Sequence, residues 1–225
     1  MKHKIRAAIF DFDGIIISSK VAEYESWKRV FNAYNCNLSI KKWVKIIDNP
    51  MGEFDPAQIL FKECKYRDKI KIEDIDYLRR NVYESLRNGL RPLPGIVNLI
   101  KECSTKELLV GLGSNGKHDN VIFHLTRLKI INLFNGITCR DDVENKKPAP
   151  DIYNALLKKL KVKSSEAIVF EDSPPGISAA KAANLYCVAI PNPITKYMDL
   201  IEADKIIKRI KTFSLDNLLI EISGS

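Results

Sequence analysis

Apolar residues fall into two rhythms along the chain. Near its start Ala7, Ala8, Ile9 and Phe10 form an unbroken apolar run, the pattern of a central parallel strand covered on both faces. This predicts a first strand over residues 4–10. Similar runs predict strands at 108–113, 167–170 and 186–190, with weaker ones at Gly136–Cys139 and 203–207. Helical spacing lies between them. One helix is predicted from the turn at Gly95 to about Cys103. Another covers 117–129, with Val121, Ile122, Leu125 and Leu128 on one face, and a third opens at Pro148 and runs to Leu160. Ser173 is placed to cap a further helix, with Pro174 in its first turn. Strands alternating with helices predict an α/β fold with a doubly wound parallel sheet.

The rhythm changes between Lys20 and Asn88. Val21, Tyr24, Trp27, Val30, Phe31 and Tyr34 recur at helical spacing. Trp43, Ile46 and Ile47 follow, then Ile59, Leu60 and Cys64, then Ile75, Leu78, Val82, Tyr83 and Leu86. Asn49-Pro50-Met51-Gly52 and Asp55-Pro56 read as breaks, and Asn88-Gly89 as a helix stop. The expectation is a bundle of four or so helices, with Trp27 and Trp43 in its core, inserted after the first strand. Arg91-Pro92-Leu93-Pro94-Gly95 marks the return. The expected domains are therefore 1–17 with 91–225 for the α/β part, and 18–90 for the helical part.

Composition narrows the function. Apolar residues make up 45% and charged residues 28% of the 225, as in a globular chain, and the formal net charge is +8. The lysines are spread out rather than gathered on a stripe with aromatics, so no nucleic-acid partner is expected. A positive field still favours a small phosphorylated anion. Cys36, Cys64, Cys103, Cys139 and Cys187 include no C-x-x-C pair. That argues against a disulfide framework or a zinc site and for reduced thiols in a cytoplasmic protein. Lys2, Lys4 and Arg6 precede too short an apolar run for a signal peptide, and no membrane partner is expected. A monomer or weak dimer is the expected assembly.

The candidate chemistry lies at the strand ends. The first strand ends in Asp11-Phe12-Asp13-Gly14, the next at Ser114-Asn115, a later one at Glu171-Asp172, and Lys146-Lys147-Pro148 precedes a helix. In a parallel sheet these ends share one edge. Carboxylates at a buried strand end need a compensating charge, which Mg2+ would supply through oxygen ligands. A hydroxyl, an amide and a lysine beside them suit phosphoryl transfer. Other candidates are weaker. His3, His118 and His124 lack ligand spacing, and His118 and His124, on or near one amphipathic helix, read as structural. Gly111-Leu112-Gly113-Ser114-Asn115-Gly116 looks like a dinucleotide fingerprint but lacks the downstream acidic residue.

Asp11-Phe12-Asp13-Gly14, Ser114-Asn115, Lys147-Pro148 and Phe170-Glu171-Asp172-Ser173 resemble the four ordered motifs of the haloacid dehalogenase superfamily. The helical insert resembles the cap of its subfamily I, and the likeness covers nearly the whole chain. It implies a Rossmannoid core with a helical cap and a Mg2+-dependent phosphomonoester hydrolase that works through an aspartyl-phosphate. Asp11 would then be the nucleophile and Asp13 the general acid and base. Ser114, Asn115 and Lys147 would bind phosphate. Asp11, Asp172, Glu171 and the Asp13 carbonyl would hold Mg2+. The substrate would be a small phosphorylated metabolite, a sugar phosphate or nucleotide. The resemblance thins at Ile17-Ser18-Ser19-Lys20, where the subfamily more often carries acids. β-Phosphoglucomutase is the nearest alternative, but its cap histidine aligns with Glu23 here. A phosphonatase would use a cap lysine, with Lys20, Lys28, Lys41, Lys42 and Lys45 as candidates. A binding module without catalysis would be expected to lose Asp11, Asp13, Lys147 or Asp172.

Overall fold

The computed structural model describes residues 4–47, 55–64 and 71–224. The Asn49-Pro50-Met51-Gly52 break and His3 lie outside them. The chain divides into two compact units. One comprises Met1–Ile17, Arg91–Asn192 and Asp199–Ser225, and the other Ser18–Leu90 and Pro193–Met198.

The first unit is built on a six-stranded sheet: β1 (Ala7–Asp11), β2 (Leu109–Ser114), β3 (Gly136–Cys139), β4 (Ala167–Glu171), β5 (Tyr186–Ala189) and β6 (Lys205–Ile206). The strands lie in the order β3-β2-β1-β4-β5-β6, and every pair is parallel. From β1 the chain winds outward to β2 and β3, then crosses back to β4 on the other side. The winding direction thus reverses between β1 and β4, where open α/β sheets bind their ligands. Ala7 to Phe10 are fully buried, and the Phe10 and Phe170 rings stack at 4.8 Å across the β1–β4 pair. This explains why these strands read as unbroken apolar runs.

The second unit contains α1 (Ser19–Ala33), α2 (Ile40–Ile47), α3 (Pro56–Glu63) and α4 (Ile72–Arg87). Tyr24, Trp27, Val30, Phe31, Leu38, Trp43, Leu60 and Ile75 form its buried cluster. Asp55 caps α3, its carboxylate accepting the Ala57 N–H at 2.9 Å, with Pro56 in the first turn. Segment Pro193–Met198, expected from sequence in the α/β portion, groups with these helices because Ile194 is buried in their cluster.

The remaining helices belong to the first unit: α5 (Ile96–Thr105), α6 (His118–Arg127), α7 (Asp151–Leu160), α8 (Pro174–Ala182) and α9 (Leu215–Gly224). α7 packs on β2 and β3, and α8 on β4 and β5. Among the described residues no helix is long and apolar enough to cross a membrane.

Several boundaries differ from the sequence expectation. α7 starts at Asp151 rather than Pro148, and the Lys147–Pro148 bond is cis. Ala149 precedes Pro150, and a residue before proline is kept out of the helical region. Ser173 occupies the cap position of α8, but its side chain caps nothing. Pro174 and Pro175 open that helix without N–H groups, so the cap has little to accept. The last strand is only two residues long. α9 has no counterpart in the sequence expectation, although Leu215, Leu218, Leu219 and Ile222 carry helical spacing and the Ser214 hydroxyl accepts the Asn217 N–H at 3.2 Å.

Candidate active site

Each polar group sits where its strand ends. Asp11 is the last residue of β1, in register with Gly113 of β2. Ser114 ends β2 and Glu171 ends β4, with Asp172 next in the chain. Lys147 comes from the loop between β3 and α7. All of these side chains are buried except that of Asp13, which is half-buried. The chain leaves β1 through Gly14 at φ +107°. A Cβ there would lie 2.1 Å from Asp172 Oδ2, so glycine is required by both the backbone and the neighbouring carboxylate. A Cβ on Gly176 would likewise strike the Glu171 carboxyl at 2.1 Å.

Lys147 is the hub. Its Nζ donates to Asp11 Oδ1 at 2.6 Å, Glu171 Oε1 at 2.7 Å and the Gly113 carbonyl at 2.9 Å. An ammonium has three protons, and these three acceptors match them. Asn115 holds the backbone of the same lysine: its Nδ2 donates to the Lys147 carbonyl at 3.1 Å, and the Lys147 N–H donates to its Oδ1 at 2.8 Å. Glu171 Oε1 also accepts the Tyr153 hydroxyl at 2.5 Å, while Oε2 accepts the Asp172 N–H at 3.0 Å. Asn192 donates to Asp172 Oδ2 at 2.7 Å. The Ser114 hydroxyl accepts the Gly116 N–H at 2.8 Å and lies 3.5 Å from Asp13 Oδ2.

The sequence profile of the haloacid dehalogenase-like hydrolases matches residues 8–190, a span that includes every one of these groups except Asn192. The chain belongs to this family. It is 34% identical over 191 residues to the YhcW protein of Bacillus subtilis (strain 168), covering 85% of this chain and 86% of that one. It is 26% identical to the fructose-1-phosphate phosphatase YqaB of Escherichia coli (strain K12), covering 84% and 98%. It is 25% identical to a β-phosphoglucomutase of Bacillus subtilis (strain 168), covering 95% and 94%.

In this haloacid dehalogenase-like hydrolase the strand edge carries an imbalance of charge. Carboxylate oxygens of Asp11, Glu171 and Asp172 lie within 4.8 Å of one another. Among the described residues these three carboxyl groups share one buried ammonium, that of Lys147. Burial pushes the Asp11 carboxyl well above the usual carboxylate range. Glu171 adds to this, Lys147 works against it, and Asp172 and Asp13 raise it further. Burial also opposes the charge on Lys147, but Asp11 and Glu171 outweigh it and hold the ammonium protonated. Burial, then Glu171, raises the Tyr153 phenol, which keeps it a donor. One ammonium does not balance three carboxyl groups that are all ionised, and a site of oxygen donors alone suits a hard cation that would favour their ionised forms.

The other candidates take structural places. His124 is buried on α6, its ring 6.1 Å from that of Phe12 and its Nδ1 3.2 Å from an Arg127 nitrogen. His118 is exposed, its N–H donating to Asp141 at 3.1 Å. Lys146 is exposed. Trp27 and Trp43 are buried in the helical unit. All five cysteines are free, and all but Cys36 are buried. Sequence reasoning missed Tyr153 and Asn192. Tyr153 hides among the apolar residues of α7, where only its hydroxyl hints at a polar partner. Asn192, between Pro191 and Pro193, reads as an ordinary turn residue.

Proposed function

We propose that this chain is a Mg2+-dependent phosphomonoester hydrolase that acts on a small phosphorylated metabolite through an aspartyl-phosphate on Asp11. The observation that carries this reading is the Lys147 ammonium bridging Asp11 and Glu171 inside a cluster of three acidic side chains that could hold a metal ion. A buried aspartate is a nucleophile only while ionised, and Lys147 favours that form. Asp11, Asp172 and Glu171, with the main-chain carbonyl of Asp13, would hold Mg2+. When bound, the ion would neutralise the phosphoryl oxygens and Asp11 together.

The chemistry proceeds in two displacements. An Asp11 oxygen attacks phosphorus, the bond from phosphorus to the ester oxygen breaks, and Asp13 gives that oxygen its proton. The Asp13 carboxylate then takes a proton from water as the water attacks the aspartyl-phosphate. The bond from phosphorus to Asp11 breaks, inorganic phosphate leaves, and both aspartates return to their starting states. The Ser114 hydroxyl donates to a non-bridging oxygen throughout. Asn115, whose side chain is engaged by the Lys147 backbone, contributes by fixing that lysine.

Phosphatase and phosphomutase relatives share this family, and the fructose-1-phosphate phosphatase and the β-phosphoglucomutase are both named for phosphorylated sugars. The test is phosphate release from a panel of phosphorylated sugars and nucleotides, with Mg2+ and with chelator. β-Glucose 1-phosphate belongs in the panel, with glucose 6-phosphate followed in parallel. Metal-dependent phosphate release supports the hydrolase. Isomerisation without release would favour a mutase, and silence from folded protein would overturn both.

A further inference from the structure

We propose that Tyr153 is a positioning residue for this site, its hydroxyl pinning Glu171 so that Glu171 holds Lys147 against Asp11. The proposal rests on the phosphoryl-transfer reading above.

Tyr153 lies in the first turn of α7, fully buried, and touches both members of the Glu171–Lys147 pair. Its hydroxyl donates to Glu171 Oε1 at 2.5 Å, the same oxygen that accepts Lys147 Nζ at 2.7 Å. Its ring lies under the ammonium, with Nζ 4.7 Å from the ring centroid. The two donors therefore approach one carboxylate oxygen, and the ring supports the cation beside it. Gly176 closes the other side of Glu171, leaving no room even for a Cβ. The Asp172 N–H takes Oε2.

A phenylalanine at 153 would fill the same space and keep the ring under Lys147. The hydroxyl is the distinguishing group. A buried hydroxyl is costly without a partner, and here its partner is a carboxylate of the site. Without it, Oε1 loses the donor that fixes it from α7, and the Lys147 ammonium is held less tightly. The effect on Asp11 is indirect, passing from the Tyr153 hydroxyl through Glu171 to Lys147 and so to Asp11.

The test compares wild type with Tyr153→Phe by two independent readouts. In lysine Nζ-selective nitrogen NMR, the three acceptors around Lys147 predict slowly exchanging ammonium protons, and the variant should exchange about tenfold faster or more, as when a charged hydrogen bond is lost. In steady-state assays kcat should fall about 10- to 100-fold, with KM within about twofold. Unchanged exchange at Lys147 would overturn the proposal. Faster exchange with unchanged kcat, or an effect confined to KM, would overturn it equally. If wild type releases no phosphate from any substrate, the functional reading fails, and the exchange comparison still decides whether Tyr153 pins Lys147. Should the variant not fold, the unmutated protein labelled at tyrosine Cζ provides the test instead. A slowly exchanging Tyr153 hydroxyl proton is expected, and a freely exchanging one would contradict the contact.

Discussion

Asn115 grips Lys147 by its backbone, with one hydrogen bond in each direction: 3.1 Å from Nδ2 to the lysine carbonyl and 2.8 Å from the lysine N–H to Oδ1. The loop bearing Lys147 is thereby tied to the end of β2. Asn115→Ala removes both bonds, at a cost of about 1–3 kcal/mol in urea-unfolding free energy. Because the ammonium must stay within hydrogen-bond reach of Asp11, kcat should fall by up to about 100-fold. Asn115→Asp keeps only the acceptor and should fall between. Equal activity in all three proteins would show that the clasp does not set the lysine.

Lys147→Met leaves Asp11 and Glu171 buried without their ammonium. A broken buried pair of this kind costs about 3–5 kcal/mol. The loss should depend on pH in a defined direction. Asp11 has a folded pKa above its unfolded value, so the ionised form is the one the fold disfavours. The penalty is absent below the unfolded pKa of about 4 and complete once pH exceeds the folded value. Lys147 lowers the Asp11 carboxyl, so its removal raises that carboxyl further, and thermal melts without metal should show the variant gaining stability relative to wild type as pH falls toward the unfolded value of about 4. A pH-independent deficit would point to packing alone.

Gly14 and Gly176 hold space that the carboxylates occupy. Alanine at either position places a Cβ 2.1 Å from Asp172 or Glu171, and at Gly14 the φ of +107° adds backbone strain. Calorimetric titration with Mg2+ should show affinity lowered about 10- to 100-fold in each variant that remains folded. Wild-type affinity in both would mean that these two carboxylates do not hold the ion.

How much of this is written in the sequence depends on the residue. The sheet is legible because its strands are buried on both faces, so 7–10 and 167–170 are apolar throughout. The convergence of Asp11, Ser114, Lys147 and Asp172 follows from one rule about parallel strand ends. Tyr153 is not legible, since a tyrosine on the buried face of a helix looks like packing until its hydroxyl is seen on Glu171. The start of α7 departs from expectation because Pro148 reads as a helix opener only when the second proline, two residues on, is left out of account. Ile194 joins the helical unit across a long sequence separation that local periodicity does not encode.

The buried thiols should be inert. Burial pushes Cys103 and Cys139 up to about 12, with nearby acidic residues adding to it. A thiol raised in the fold stays neutral there, so its contribution is intact below pH 9 and is lost as pH rises from 9 to 12. Iodoacetamide at pH 8 should label neither residue in native protein and both after unfolding in urea, as read by peptide mass spectrometry. Rapid labelling of either in the native protein would contradict their placement.

The most direct measurement is phosphate release by wild type and Asp11→Asn, side by side, on the best substrate of the panel with Mg2+. Asparagine keeps an acceptor for Lys147 but removes the nucleophile, so the variant should match wild type by circular dichroism and release no phosphate above background. Wild-type turnover in clean, folded Asp11→Asn would show that the aspartyl-phosphate mechanism is wrong.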